Sequence, residues 1–317
     1  MTTPATTPTV IDCDPGIDDA VALLLACASP ELRLLGVSTV AGNVDLEHTT
    51  RNAGRILALA GRSEVPVAAG ADRPLVRSSP GRATDVHGED GVNRAELPEP
   101  AVEPDPRPAV DLLADAIGGS PDPVTLVAIG PLTNVALLYA VHPEVAATLD
   151  QVVIMGGSAT VGNTTEAAEF NVWSDPEAAY RVLTDPGLRR PVPTTMVGLD
   201  LTLTVPFTEA DLTALAAGGA AGNAAAAMLR PEAERQRRET GVAALPVHDA
   251  VAVTAVLKPH LLRTRPATVT VDCSDGPGRG ATAVAPAPDG AWSSVAVGAA
   301  ARDVIDLIVR RVAGYGW

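Results

Sequence analysis

Four aspartates fall within eight residues in the segment Asp12-Cys13-Asp14-Pro15-Gly16-Ile17-Asp18-Asp19. They follow Val10-Ile11, an apolar β-branched pair of the kind that ends a buried strand. Asp12 and Asp14 are two apart on an extended segment, so both point to one side. Pro15-Gly16 turns the chain, and Asp18-Asp19 open a helical pattern. Carboxylates this crowded repel one another unless a cation lies among them. Oxygen-rich sites suit hard cations such as Ca²⁺ or Mg²⁺. A surface turn with a helix cap would account for Asp18 or Asp19 alone. It does not account for Asp12 and Asp14 directly behind an apolar strand, so the cluster reads as a metal site.

Three further stretches carry chemistry. Val247-His248-Asp249 precedes an apolar helix, and alone a His-Asp pair is more often structural than catalytic. The run from Met155-Gly156-Gly157 through Asn163 to Glu169-Phe170-Asn171 offers amides and carboxylates suited to hydroxyl groups, and matches neither a Walker A nor a GxGxxG pattern. His87, in Val86-His87-Gly88-Glu89-Asp90-Gly91, is unremarkable by itself.

The elements that must position these residues alternate. Strand-like runs at 34–40, 65–69, 124–129, 152–155 and 192–199 are separated by helical patterns at 18–28, 46–60, 110–117, 132–141 and 175–183. Such alternation predicts an α/β fold with a mostly parallel central sheet flanked by helices. Ligands of such sheets bind beyond the carboxyl ends of the strands, where the Asp cluster lies. The stretch 72–107, rich in Pro, Gly and charge, breaks the rhythm and reads as a functional loop. Residues 208–239 read as helical, with a charged second half at Arg235-Gln236-Arg237-Arg238. A buried helix at 248–257, strand-like runs at 268–271 and 295–297 around a turn at 276–280, and an amphipathic helix at 302–312 complete the chain. We find no repeat and no linker, so the expectation is one domain over 9–317 behind a flexible N-terminal segment, 1–8.

Composition narrows the function. The chain has 317 residues, 46% of them apolar, ample for a sizeable core. Its net charge of −15 argues against a nucleic-acid partner, for which a basic face is expected. Cys13, Cys27 and Cys273 cannot all pair, which favours a reducing compartment. Residues 2–8 lack the features of a signal peptide, and the apolar runs fall short of the roughly 20 residues of a membrane span. The expectation is a cytoplasmic protein with no membrane partner.

Together these segments resemble the inosine-uridine-preferring nucleoside hydrolase family over nearly the whole chain. The resemblance rests on Asp14-Pro15-Gly16-Ile17-Asp18-Asp19-Ala20, Gly130-Pro131-Leu132-Thr133-Asn134, Ala168-Glu169-Phe170-Asn171 and Val247-His248-Asp249, in that order. It implies a single-domain fold with a Rossmann-like core, and one Ca²⁺ held by Asp14, Asp19, Asp249 and the backbone carbonyl of Ile129. It further implies Asp18 and Asn171 on ribose hydroxyls, Asn163 and Glu169 near the 5′-hydroxyl, and Asn43 near metal and ribose. Met155 would lie beneath the sugar and His87 at the base-facing mouth, with Asp12 a supporting carboxylate. Ungapped counting from His248 brings Gln236 to a base-contact position, a lean towards pyrimidines; a tyrosine used by some relatives falls on Thr240.

The implied reaction is hydrolysis of the N-glycosidic bond of ribonucleosides in nucleoside salvage, by a homodimer or homotetramer. The metal lowers the pKa of a bound water, Asp14 takes its proton and His248 protonates the leaving base. A phosphatase of the haloacid dehalogenase kind also begins Asp-x-Asp after a strand. It wants Thr or Val soon after the second Asp and a catalytic lysine, whereas Pro15-Gly16 follows here and Lys258 is the only lysine. A Ca²⁺-dependent nucleoside- or sugar-binding protein on the same scaffold would have no need of His248 as an acid.

Overall fold

The strand that ends in the aspartate cluster, β1 (Thr7–Cys13), is third from one edge of a nine-stranded sheet. The structure is a computed structural model describing residues 6–79, 81–242 and 244–315. β1 takes in Thr7 and Pro8, which the sequence reading gave to the flexible segment; residues 1–5 lie outside the described residues. The other strands are β2 (Leu32–Thr39), β3 (Val67–Ala69), β4 (Thr125–Ala128), β5 (Gln151–Met155) and β6 (Thr194–Val197). They are followed by β7 (Pro206–Thr208), β8 (Ala244–Pro246), β9 (Leu262–Val271), β10 (Thr282–Pro286) and β11 (Ser293–Ala299). Their order in the large sheet is β10-β9-β11-β6-β5-β4-β1-β2-β3, while β7 and β8 form a separate antiparallel pair.

From β3 across to β11 every pairing is parallel, as the alternation predicts. β9 runs antiparallel to β11, and β10 antiparallel to β9. The edge strand β10 escaped the sequence reading. It ends in Pro286, a residue an edge tolerates and a central strand does not. The chain winds from β1 outward through β2 and β3, then returns to β4 on the other side of β1. That reversal is a topological switch point, and the aspartates leave β1 at its carboxyl end.

Side chains alternate across β1. Ile11 and Cys13 join the core on one face, and Val10 the core on the other. The helix Ile17–Cys27 is apolar nearly all round and accordingly buried, with Leu23, Leu24 and Leu25 fully enclosed. Each such leucine stabilises the fold by about 1.5–3 kcal/mol. The 208–239 region forms two helices, Glu209–Ala216 and Ala220–Thr240, rather than one. The break at Gly218-Gly219 is required by packing: a Cβ on Gly218 would lie within 2.4 Å of the Ala313 carbonyl. Inside 72–107 one short helix forms, Thr84–His87.

Candidate active site

The loops beyond the parallel strands and the helix Ala220–Thr240 enclose a cavity of about 450 Å³, the size of a small-molecule site. Asp18, Asn43, His87, Ile129, Met155, Asn163, Glu169, Asn171, Gln236, His248 and Asp249 all line it. Residues far apart in sequence therefore converge here. The 72–107 loop also contributes, through Arg82, Asp85 and Val86.

Of the clustered carboxylates, Asp18 and Asp249 line this cavity, whereas Asp12, Asp14 and Asp19 do not. Asp12, Asp14, Asp19 and Asp249 are buried and Asp18 half-buried. One oxygen each from Asp18, Asp19 and Asp249 lies within 4.8 Å of the others. Carboxylates this close repel one another if all are charged. Asp19 Oδ1 accepts from the Asp14 amide (3.1 Å), and its Oδ2 from the Gly16 amide (3.0 Å) and Asn43 Nδ2 (3.1 Å). Asp14 Oδ2 accepts from the Asn43 amide at 2.7 Å, while its Oδ1 is buried with no hydrogen-bond partner. Gly42 and Gly130 make room for it, since a Cβ on either would come within 2.7 Å of an Asp14 oxygen.

These environments disfavour negative charge. Burial, then neighbouring Asp18, raises Asp19 to about 7. Burial and Asp19 push Asp14 well above the usual carboxylate range; burial and Asp18 do the same to Asp249. A buried carboxylate cluster with an orphaned oxygen and no arginine or lysine ion pair among the described residues fits a cation. Asp14, Asp19, Asp249 and Asp18 would hold it. The tight three-oxygen set includes Asp18, which the sequence reading put on the sugar alone. The Ile129 carbonyl accepts from Asn171 Nδ2 at 2.8 Å, so this oxygen already has one partner.

Asp12 supports from below. Its Oδ1 accepts from Ser38 Oγ (2.5 Å) and from Asn134 Nδ2 (2.8 Å), and burial raises it to about 7. Asn134 also donates to the Thr39 carbonyl and accepts from the Ala71 amide, tying the ends of β1, β2 and β3 together. The sequence marked Asn134 as part of a motif without giving it this task.

On the sugar-facing side Asn171 donates to the Ile129 and Met155 carbonyls, leaving its own carbonyl oxygen available. Glu169 caps the helix Phe170–Ser174: its carboxylate accepts from the amides of Asn171, Val172 and Gly157. Asn163 lies exposed at the rim and accepts from the Phe170 amide.

Two histidines complete the cavity. His248 opens the helix His248–Leu257, and its Nδ1 lies 2.7 Å from Thr202 Oγ1, leaving Nε2 for a ligand. Thr202 escaped the sequence reading, because a threonine 46 residues upstream carries no signal of the contact. His87 Nδ1 accepts from the Ile17 amide at 3.1 Å. Burial lowers the pKa of both rings. Gln236 donates to the buried Glu232, which also receives the Arg235 fork. Thr240 lies outside the cavity, exposed at the last turn of its helix, and bonds to the carbonyls of Gln236 and Val242. Lys258 also lies away from the cavity and pairs with Glu31 at 3.2 Å, so it cannot serve as a phosphatase lysine.

Comparison with known proteins shows what the chain is similar to. Residues 9–305 match the family described as inosine-uridine preferring nucleoside hydrolase. A pyrimidine-specific ribonucleoside hydrolase RihA of Photobacterium profundum is 52% identical over 205 residues, covering 65% of this chain and 64% of the relative. The protein of the same name from Shewanella woodyi is 42% identical over 88% of both chains. Among solved structures, a plant nucleoside hydrolase superposes with a TM-score of 0.89 at 32% identity, covering 97% of this chain and 99% of the other. No helix among the described residues is long and apolar enough to cross a membrane.

Proposed function

The chain belongs to the inosine-uridine preferring nucleoside hydrolase family, a metal-dependent group of ribonucleoside N-glycosyl hydrolases, and we propose that it is a Ca²⁺-dependent enzyme preferring pyrimidine ribonucleosides. The observation that carries this reading is the unpartnered buried Asp14 oxygen within a carboxylate cluster, beside a cavity that also holds His248. A bound cation would lower the pKa of a water molecule and fix a pair of ribose hydroxyls.

The residues supply the rest. Breaking the glycosidic bond builds positive charge on the ribosyl ring and negative charge on the departing base. Carboxylates held in a buried site favour the first electrostatically. Asp14 is the base that accepts the proton of the attacking water. Asp18 and the Asn171 carbonyl oxygen accept from ribose hydroxyls; Asn43, Asn163, Glu169 and Met155 shape the sugar's seat. His248, oriented through Nδ1 by Thr202, protonates the leaving base from Nε2, a step worth about 10²–10⁴-fold.

Support for pyrimidine preference comes from two relatives named pyrimidine-specific and from Gln236 on the cavity wall. The same reading makes a free ribonucleoside the substrate, the cytoplasm the place of action, and a homodimer or homotetramer the working unit. The test is to incubate the protein with uridine, cytidine, inosine and adenosine, with and without chelator, and measure free ribose. The reading expects faster release from the pyrimidine nucleosides, lost on chelation. No ribose from any nucleoside in the presence of Ca²⁺ would overturn it.

A further inference from the structure

The turn Pro15-Gly16-Ile17 joins Asp14 to Asp18 and Asp19, so its position sets the geometry of the whole cluster. It is not held by its own neighbours in sequence alone. The Ile17 amide, at the start of the helix, donates to His87 Nδ1 at 3.1 Å. That amide is one of the orphan donors every helix N-terminus must satisfy, and here a side chain 70 residues away does so. A second tie runs beside it. Asn52 Nδ2 donates to the Pro15 carbonyl at 3.2 Å and to the Asp90 carbonyl at 2.8 Å, clamping the turn to the 72–107 loop. The loop is itself fixed, because Asn93 donates from its amide to the His87 carbonyl and from Nδ2 to the Val86 and Met228 carbonyls.

The contact is close as well as directional. A Cβ on Gly16 would lie 2.4 Å from His87 Nδ1 and 2.7 Å from Asn43 Nδ2. Glycine at 16 is therefore what lets the imidazole and the Asn43 amide both reach the turn. Asn43 in turn contacts Asp14 and Asp19 directly. Because Nδ1 receives an N–H, it carries no proton, and the neutral ring keeps its proton on Nε2.

We propose that His87 is a positioning residue of the cation site, acting through the Ile17 amide to hold the turn that presents Asp14, Asp18 and Asp19. This rests on the reading of the carboxylate cluster as a Ca²⁺ site and adds to it a mechanical link from the cavity's loop. Partners of this indirect kind typically change metal affinity by about 10–100-fold when removed.

The test measures Ca²⁺ binding by calorimetric titration of the protein alone, without nucleoside. The set is wild type, His87→Ala, His87→Asn and His87→Gln. An asparagine oxygen can take the place of Nδ1, while a glutamine amide reaches instead towards the place of Nε2. The expected result is a Ca²⁺ Kd about tenfold weaker in H87A and H87Q, and restored to within about threefold in H87N. The comparison of H87N with H87Q decides the matter even if H87A does not fold. Equal affinity across all four proteins, or equal loss in H87N and H87Q, would overturn the role of His87 and leave the calcium reading intact. A wild-type protein that binds no Ca²⁺ would overturn both.

Discussion

Thr202 Oγ1 and His248 Nδ1 lie 2.7 Å apart, and the threonine is fully buried. A buried hydroxyl at one nitrogen fixes the plane of the ring and leaves the other nitrogen to face the cavity. The hydroxyl can donate or accept, so it can serve the ring both before and after proton transfer. Thr202→Val keeps the shape and removes that partner. The expected outcome is a kcat lower by about tenfold with a smaller change in KM, and recovery in Thr202→Ser. An unchanged kcat in the valine variant would show that His248 needs no such orientation.

The carboxylate cluster makes stability depend on pH in a direction that the cation opposes. Burial raises Asp12 and Asp19 from 3.8 to about 7, and Asp14 and Asp249 well above 3.8. A group raised in the folded state contributes stability fully present below its unfolded value and lost as pH rises through the folded one. Chelator-treated protein should therefore lose Tm steadily between about pH 4 and pH 7. Ca²⁺ favours the charged forms, so the loaded protein should lose less over that range and gain most from Ca²⁺ at the upper end. Thermal unfolding with and without Ca²⁺ checks this; a Ca²⁺ gain that does not grow with pH would contradict it.

The aspartate cluster and the parallel sheet were legible for the same reason: an apolar strand running straight into carboxylates is a local pattern. The pair of half-buried His248 and buried Asp249 became interpretable once the order of the motifs was read. What remained hidden depended on contacts between distant segments. Nothing near Thr202 marks it as a partner of His248, and nothing near Asn134 marks it as the amide beneath Asp12. His87 looked ordinary because its role depends on the Ile17 amide, and backbone amides carry no sequence signature. The break at Gly218-Gly219 was missed because the packing against Ala313 that demands it comes from the last helix of the chain.

Far from the site, Glu31, just before β2, ties that segment to the last helix of the chain. Its carboxylate accepts from Arg311 Nη2 and Nη1, both at 2.8 Å, and Lys258 Nζ lies 3.2 Å away. The Arg311 hydrogen bonds hold its pKa down at about 2, from 4.5. A lowered carboxylate contributes stability present above its unfolded value and lost as pH falls through the folded one. Because Glu31 is about a third exposed, solvent screening keeps the effect small. Glu31→Gln should destabilise by about 1 kcal/mol at pH 7 in urea unfolding. The difference should shrink as pH falls from about 4.5 towards 2. A penalty that persists undiminished in acid would assign it to packing instead of charge.

The most direct measurement starts from chelated, metal-free protein and follows ribose release from uridine as Ca²⁺ is added back, with Mg²⁺ in a parallel titration. The expected result is no activity before addition and recovery that saturates at one equivalent of Ca²⁺, with Asp14→Asn inactive throughout. Full turnover of uridine by the metal-free protein would contradict the assignment of the aspartate cluster as a catalytic calcium site.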